Sequence, residues 1–133
     1  MPAPDVSGML IVLLQSFNDK PVAVAGPGTR WYVTVVNADG RRGDPPPGVL
    51  AAIRTQGTEL LAGSKAPAID ATSARLTRDV RWRIEAPLRR ADGNYDVNFS
   101  YYCGSTCAGG LTAVMSYDSR GWHVLSQQQQ WYS

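Results

Sequence analysis

Two cysteines and one histidine are the side chains of this 133-residue chain best suited to redox, nucleophilic or metal chemistry. The cysteines stand in Cys103-Gly104-Ser105-Thr106-Cys107, a Cys-x3-Cys spacing one residue longer than the Cys-x2-Cys of thioredoxin-like sites. The pair is expected at a strand end, with no helix to lower a thiol pKa, which argues against an oxidoreductase. Residues four apart come within bonding distance at a hairpin tip, and closing so small a loop is worth roughly 2 kcal/mol in the chain-entropy view. The segment therefore reads first as a structural disulfide, next as two structural thiols, and last as redox or metal chemistry. A disulfide would place the protein in an oxidising compartment such as the bacterial periplasm or the cell exterior.

His123 is the one imidazole available as a base. Strand parity sets it opposite Trp122 and Val124, as a solvent-facing sheet residue, and no Ser-x-x-Lys, Gly-x-Ser-x-Gly or paired-carboxylate motif accompanies it. Asp96 reads as a polar-face carboxylate rather than a base. Six of the eleven arginines fall between Arg75 and Arg90. Arg81 and Arg83 share a face there, but so do Asp79 and Glu85, so ion pairing across a solvated sheet is favoured over phosphate binding. Gly26-Pro27-Gly28 and Gly43 to Gly48 lack the Gly-Lys-Ser/Thr ending of a phosphate loop. With so few His and Cys residues, neither a structural zinc site nor a three-ligand catalytic one is expected. The chain is thus expected to be no enzyme, with no catalytic residues, cofactor or metal.

The elements that must position these residues come from one domain, 1–133, since 133 residues suit a single core. Residues 5 to 18 read as an amphipathic helix, with Val6, Leu10, Leu13, Leu14 and Phe17 on one stripe and Asp5 or Ser7 as cap; a buried strand at Met9 to Leu14 is the competing reading. Extended segments are expected at Val22 to Ala25 and Trp31 to Val36. Asp44 before Pro45-Pro46-Pro47 signals a second short helix with Val49, Leu50 and Ile53 inward and Gly57 at its end. Thr58 to Ala62 reads as extended, and 63 to 74 as the longest loop.

From Leu76 the period changes from that of a helix to that of a strand. Val80, Trp82, Ile84 and Ala86 alternate with charged residues, and Tyr95, Val97, Phe99, Tyr101 and Cys103 alternate with polar ones. Asp92-Gly93 supplies the hairpin turn between them. Leu111 to Tyr117 and Trp122 to Tyr132 complete four strands, joined by Asp118 to Gly121. The expected fold is α+β: a curved four-stranded antiparallel meander packed against two N-terminal helices. Trp82, Tyr95, Phe99 and Met115 belong either to the core beneath those helices or to a pocket on the concave sheet face.

Composition narrows the function classes. Hydrophobic residues make up 44% and charged ones 18%, as in a globular domain, and the longest apolar run, Met9 to Leu14, is six residues against the roughly 18 that span a membrane. Thirteen basic against eleven acidic residues leave +2, so nucleic acid is not an expected partner. Residues 1 to 25 do not fit a secretory signal, because Asp5 precedes the apolar core and no Lys or Arg does. They are expected to belong to the domain, with any export signal lying outside this sequence.

The segment Tyr101-Tyr102-Cys103-Gly104-Ser105-Thr106-Cys107-Ala108-Gly109-Gly110, then Gly121-Trp122-His123-Val124 and Trp131-Tyr132-Ser133, resembles the tail of small, largely uncharacterised bacterial exported proteins ending in YYCGxxCGxG, GxWxV and WxS. It departs at Ala108, where the pattern has Gly. The order of elements also looks like a cystatin-like or nuclear-transport-factor-like cone, a scaffold shared by enzymes, receptors and inhibitors. The resemblance implies an exported α+β domain. Negative chemistry and a small-residue hairpin then suggest a non-catalytic protein-binding module of the envelope, periplasmic or secreted, of the inhibitor or immunity-protein type, whose partner is a toxin or hydrolase. Gly104, Ser105, Thr106, Gly109 and Gly110 are the expected contact residues, as an exposed loop where bulky substitutions block binding without unfolding the domain. The alternative is a small-ligand-binding or enzymatic cone that uses the concave sheet face.

Overall fold

Three tryptophans, a phenylalanine on a helix and a ladder of alternating aliphatic residues converge on one sheet face, and the chain folds to bury them. The structure is a computed structural model that describes residues 5–19, 30–55, 58–66, 79–104 and 107–132. Helix α1, Val6–Asp19, begins where the Asp5 carboxylate accepts the Gly8 N–H at 3.0 Å, satisfying one of the donors a first turn leaves unpaired. Met9, Leu10, Leu13, Leu14 and Phe17 are buried along one stripe. The helix reading thus holds over the strand reading.

Among the described residues the sheet has eight strands: β1 Arg30–Val36, β2 Arg42–Gly43, β3 Glu59–Ala62, β4 Asp79–Glu85, β5 Leu88–Arg89, β6 Tyr95–Gly104, β7 Cys107–Asp118 and β8 Gly121–Tyr132. β4, β6, β7 and β8 form the expected antiparallel meander, with β5 pairing the start of β6. The meander is not the whole sheet. β1 runs parallel to β4 from Arg30↔Asp79 to Val36↔Glu85, while β3 and β2 line its other side, parallel and antiparallel respectively. Strand β1 is buried on nearly every residue from Trp31 to Val36, which is how a strand with neighbours on both sides reads.

The expectation of two helices is corrected as well. Among the described residues of the 44–57 segment there is a 3-10 turn at Leu50–Ala52 and no α-helix. Gly48 sits at φ +87, a left-handed conformation that no helix continues through, and Ile53 returns to extended backbone. Asp44 caps no helix; its carboxylate accepts from the Ser64 amide at 2.9 Å and hydroxyl at 2.6 Å, tying down the 3-10 turn Gly63–Lys65. Val22 to Ala25, Gly57 and residues 67 to 74 lie outside the described residues.

The core face carries Trp31, Val33 and Val35 from β1, Val80, Trp82 and Ile84 from β4, Val97 and Phe99 from β6, Leu111, Ala113 and Met115 from β7 and Trp122 from β8. Phe17 of α1 stacks on Trp82 at 4.6 Å and lies 4.8 Å from Phe99. Gln15 pins the helix to the segment after the 3-10 turn by accepting the Arg54 amide at 2.9 Å and donating to the Arg54 carbonyl at 3.1 Å. At the start of the helix the Trp122 indole donates to the Asp5 carbonyl at 2.7 Å. Two register shifts interrupt β8, one at Leu125 between Val114↔Ser126 and Met115↔Val124, the other at Gln130 between Gly110↔Trp131 and Leu111↔Gln129.

Candidate functional site

The cysteine segment is a strand hairpin more than a loop. Gly104 pairs with Cys107, and Ala108, Gly109 and Gly110 pair with Tyr102, Tyr101 and Ser100 inside β7. Ser105 and Thr106 lie outside the described residues. Cys103 is half-buried against the core and is not a free thiol. The expectation that 104 to 110 forms one exposed loop is therefore corrected. Gly110 is buried, and a Cβ on it would collide with the Trp131 indole; a Cβ on Gly109 would come within 2.8 Å of the Tyr101 ring and the Gln129 amide. These glycines are required by close neighbours on both sheet faces. A bulky residue at Gly109 would disturb packing, not merely block access.

The four residues assigned either to the core or to a pocket on the concave face lie in or against the core. Trp82, Phe99 and Met115 are packed into the core with α1, and Tyr95 meets Trp122 edge to face at 5.2 Å. The indole N–H groups of Trp31 and Trp82 have no hydrogen-bond partner among the described residues; the two rings lie 5.1 Å apart in the aromatic cluster with Phe17.

The face away from the helix is different. Register places Trp131 over Gly110 on that face, where it is 52% exposed and the largest exposed side chain among the described residues. An open cleft lies on either side of it. One, of about 370 Å³, is lined by Arg83, Glu85, Asn98, Ser100, Thr112 and Trp131. The other, of about 250 Å³, is lined by Thr34, Arg42, Arg81, Arg83, Tyr102 and Trp131. Trp131 and Arg83 belong to both clefts, and the β6–β7 hairpin borders the second through Tyr102 and Ala108. A third cavity, of about 200 Å³, opens between the start of α1 and the ends of β1 and β4, against Met9, Leu10, Val35 and Ile84.

Ion pairing takes up other charges. Asp79, 8% exposed, meets Arg30 at 3.0 Å. Asp96 accepts from Arg90 at 3.0 Å with Asp92 beside it, and these carboxylates raise the Arg90 pKa, the Asp96 hydrogen bond most. Arg83 makes no ion pair among the described residues. His123 is exposed on the outer face, as its parity predicts, and its Nε2 lies 3.3 Å from Asp118 Oδ1. Asp118 chiefly serves its turn, where it accepts the Arg120 amide at 2.8 Å, and that bond, more than the imidazole, lowers its pKa. No group of three or more His, Cys, Asp or Glu converges among the described residues. No helix there is long and apolar enough to cross a membrane.

Sequence reasoning missed Trp131 and Arg42 as surface residues and placed Gly110 in a loop. The available signal was the Gly109-Gly110 pair leading directly into an apolar strand, with aromatics on the strands to either side. Comparison with protein-family models, with curated proteins and with solved structures finds no match to this chain.

Proposed function

We propose that this chain is a non-catalytic protein-binding module of the bacterial envelope, of the inhibitor or immunity-protein type, whose contact surface is the outer sheet face around Trp131 with the adjoining β6–β7 hairpin. The observation that carries this reading is the half-exposed indole held over Gly110 between two open clefts that share Arg83. Trp and Arg are among the side chains most enriched in residues that dominate binding energy, and an indole already seated against its own sheet has less freedom to lose on docking. A disulfide between Cys103 and Cys107 would stiffen the neighbouring hairpin and fits a periplasmic or secreted location, as does the resemblance to exported bacterial proteins. The partner is a toxin or a hydrolase.

The test is capture of the partner from an envelope extract, followed by titration against variants. Trp131→Ala should weaken the complex at least about tenfold, the scale of a hot-spot truncation. Ser105→Trp should weaken it sterically. If neither variant changes affinity, this surface is not the contact site and the reading fails.

A further inference from the structure

The two margins of the sheet are guarded very differently. On one side β2 has two residues and β3 four, and they carry Arg42 and Glu59. Short edge strands with charged side chains are how monomers keep unpaired backbone from recruiting another strand. On the other side β8 runs for twelve residues, Gly121–Tyr132, and contains no Lys, Arg, Asp or Glu. Among the described residues it pairs with β7 alone. Three of the five large exposed hydrophobics lie at this margin: Leu125 and Trp131 on β8, and Tyr117 against Trp122.

We infer that β8 is a homodimer edge, pairing antiparallel with β8 of a second copy about a two-fold axis at Gln127 or Gln128. The occupant follows from the chemistry of the strand. Between its two bulges lies a regular run, Ser126 to Gln129, whose polar side chains are all neutral. A glutamine amide is donor and acceptor at once, so this run complements itself in either register, and no charge opposes its own copy across the axis. An acidic or basic partner strand would find nothing to recognise there. Such an axis stands perpendicular to the sheet, so both outer faces remain on the same side of the dimer. Two Trp131 clefts would then be presented together, which raises avidity for a partner that is itself paired.

The test is sedimentation velocity of the purified chain between about 1 and 200 µM, the range in which interfaces of ordinary size become populated. A species of twice 14.4 kDa is expected as concentration rises. Hydrogen exchange read in parallel should show amides of residues 126 to 129 gaining protection with concentration while those of β1 stay constant. Ser126→Lys with Gln128→Lys sets like charges against each other in both registers and should weaken the dimer about tenfold. Arg42→Ala, at the opposite margin, should leave it unchanged. A chain that stays monomeric at about 200 µM, or a dimer that tolerates both lysines without change, overturns the inference.

Discussion

Gly110 lacks a side chain where the Trp131 indole occupies the space that one would fill. Gly110→Ala should therefore cost about 1 to 3 kcal/mol by overpacking, read from urea unfolding; a cost under about 0.5 kcal/mol would mean the indole swings clear and is not held. Asp44 offers a second residue-scale test. The Ser64 hydroxyl bond, then the Ser64 amide, lowers the Asp44 pKa from 3.8. A depressed carboxyl pKa means that these contacts favour folding above the unfolded value and are lost as pH falls through the lower folded one. Ser64→Ala should move the Asp44 midpoint back up toward 3.8, followed by carboxyl NMR; an unmoved midpoint would assign the shift to the amide alone. For the proposed disulfide, alkylation without reductant should label neither Cys103 nor Cys107. Two labelled thiols in protein prepared from its native compartment would remove both the bond and the argument for export.

Helix α1 adheres through one stripe, a cap and a few polar pins. Leu13→Ala should cost about 2 to 5 kcal/mol, since Leu13 is fully buried, and Asp5→Ala about 1 kcal/mol through the lost cap. A Leu13 effect below about 0.5 kcal/mol would show that the helix does not dock. This helix and the meander strands were legible because each buries one face, and a one-sided element writes its period into its sequence. The 44–57 segment was not, because Gly48 looks like any glycine until its φ of +87 is known. β7 begins at Cys107 rather than Leu111 for a related reason: small residues read as a loop, while the aromatics that need them small lie on other strands. Trp131 escaped notice because alternation alone does not say which face of a sheet a helix will cover. The bulges at Leu125 and Gln130 reset that alternation along β8 as well.

The whole molecule depends on a pairing that sequence periodicity does not reveal. β1 and β4 lie side by side and parallel although 49 residues separate Arg30 from Asp79. An apolar run such as Trp31 to Val36 announces burial but not its neighbour. Closing that connection has to precede the burial of Trp31 against Trp82, so folding should be slow, in the range of milliseconds to seconds. Stopped-flow refolding from urea checks this, and microsecond folding would mean that the meander gathers its core without β1.

The aromatic cluster also has an optical consequence. Trp31 and Trp82 lie 5.1 Å apart with their rings inclined at 58°, close enough for their excited states to couple, and Phe17 stacks on Trp82 from the helix. Fixed aromatic packing of this kind gives intense near-ultraviolet circular dichroism. Undocking of α1 would remove Phe17 from the stack and change that band while the far-ultraviolet signal of the strands persists. The chain thus carries its own chromophore for the state of its helix, which light can follow without a label.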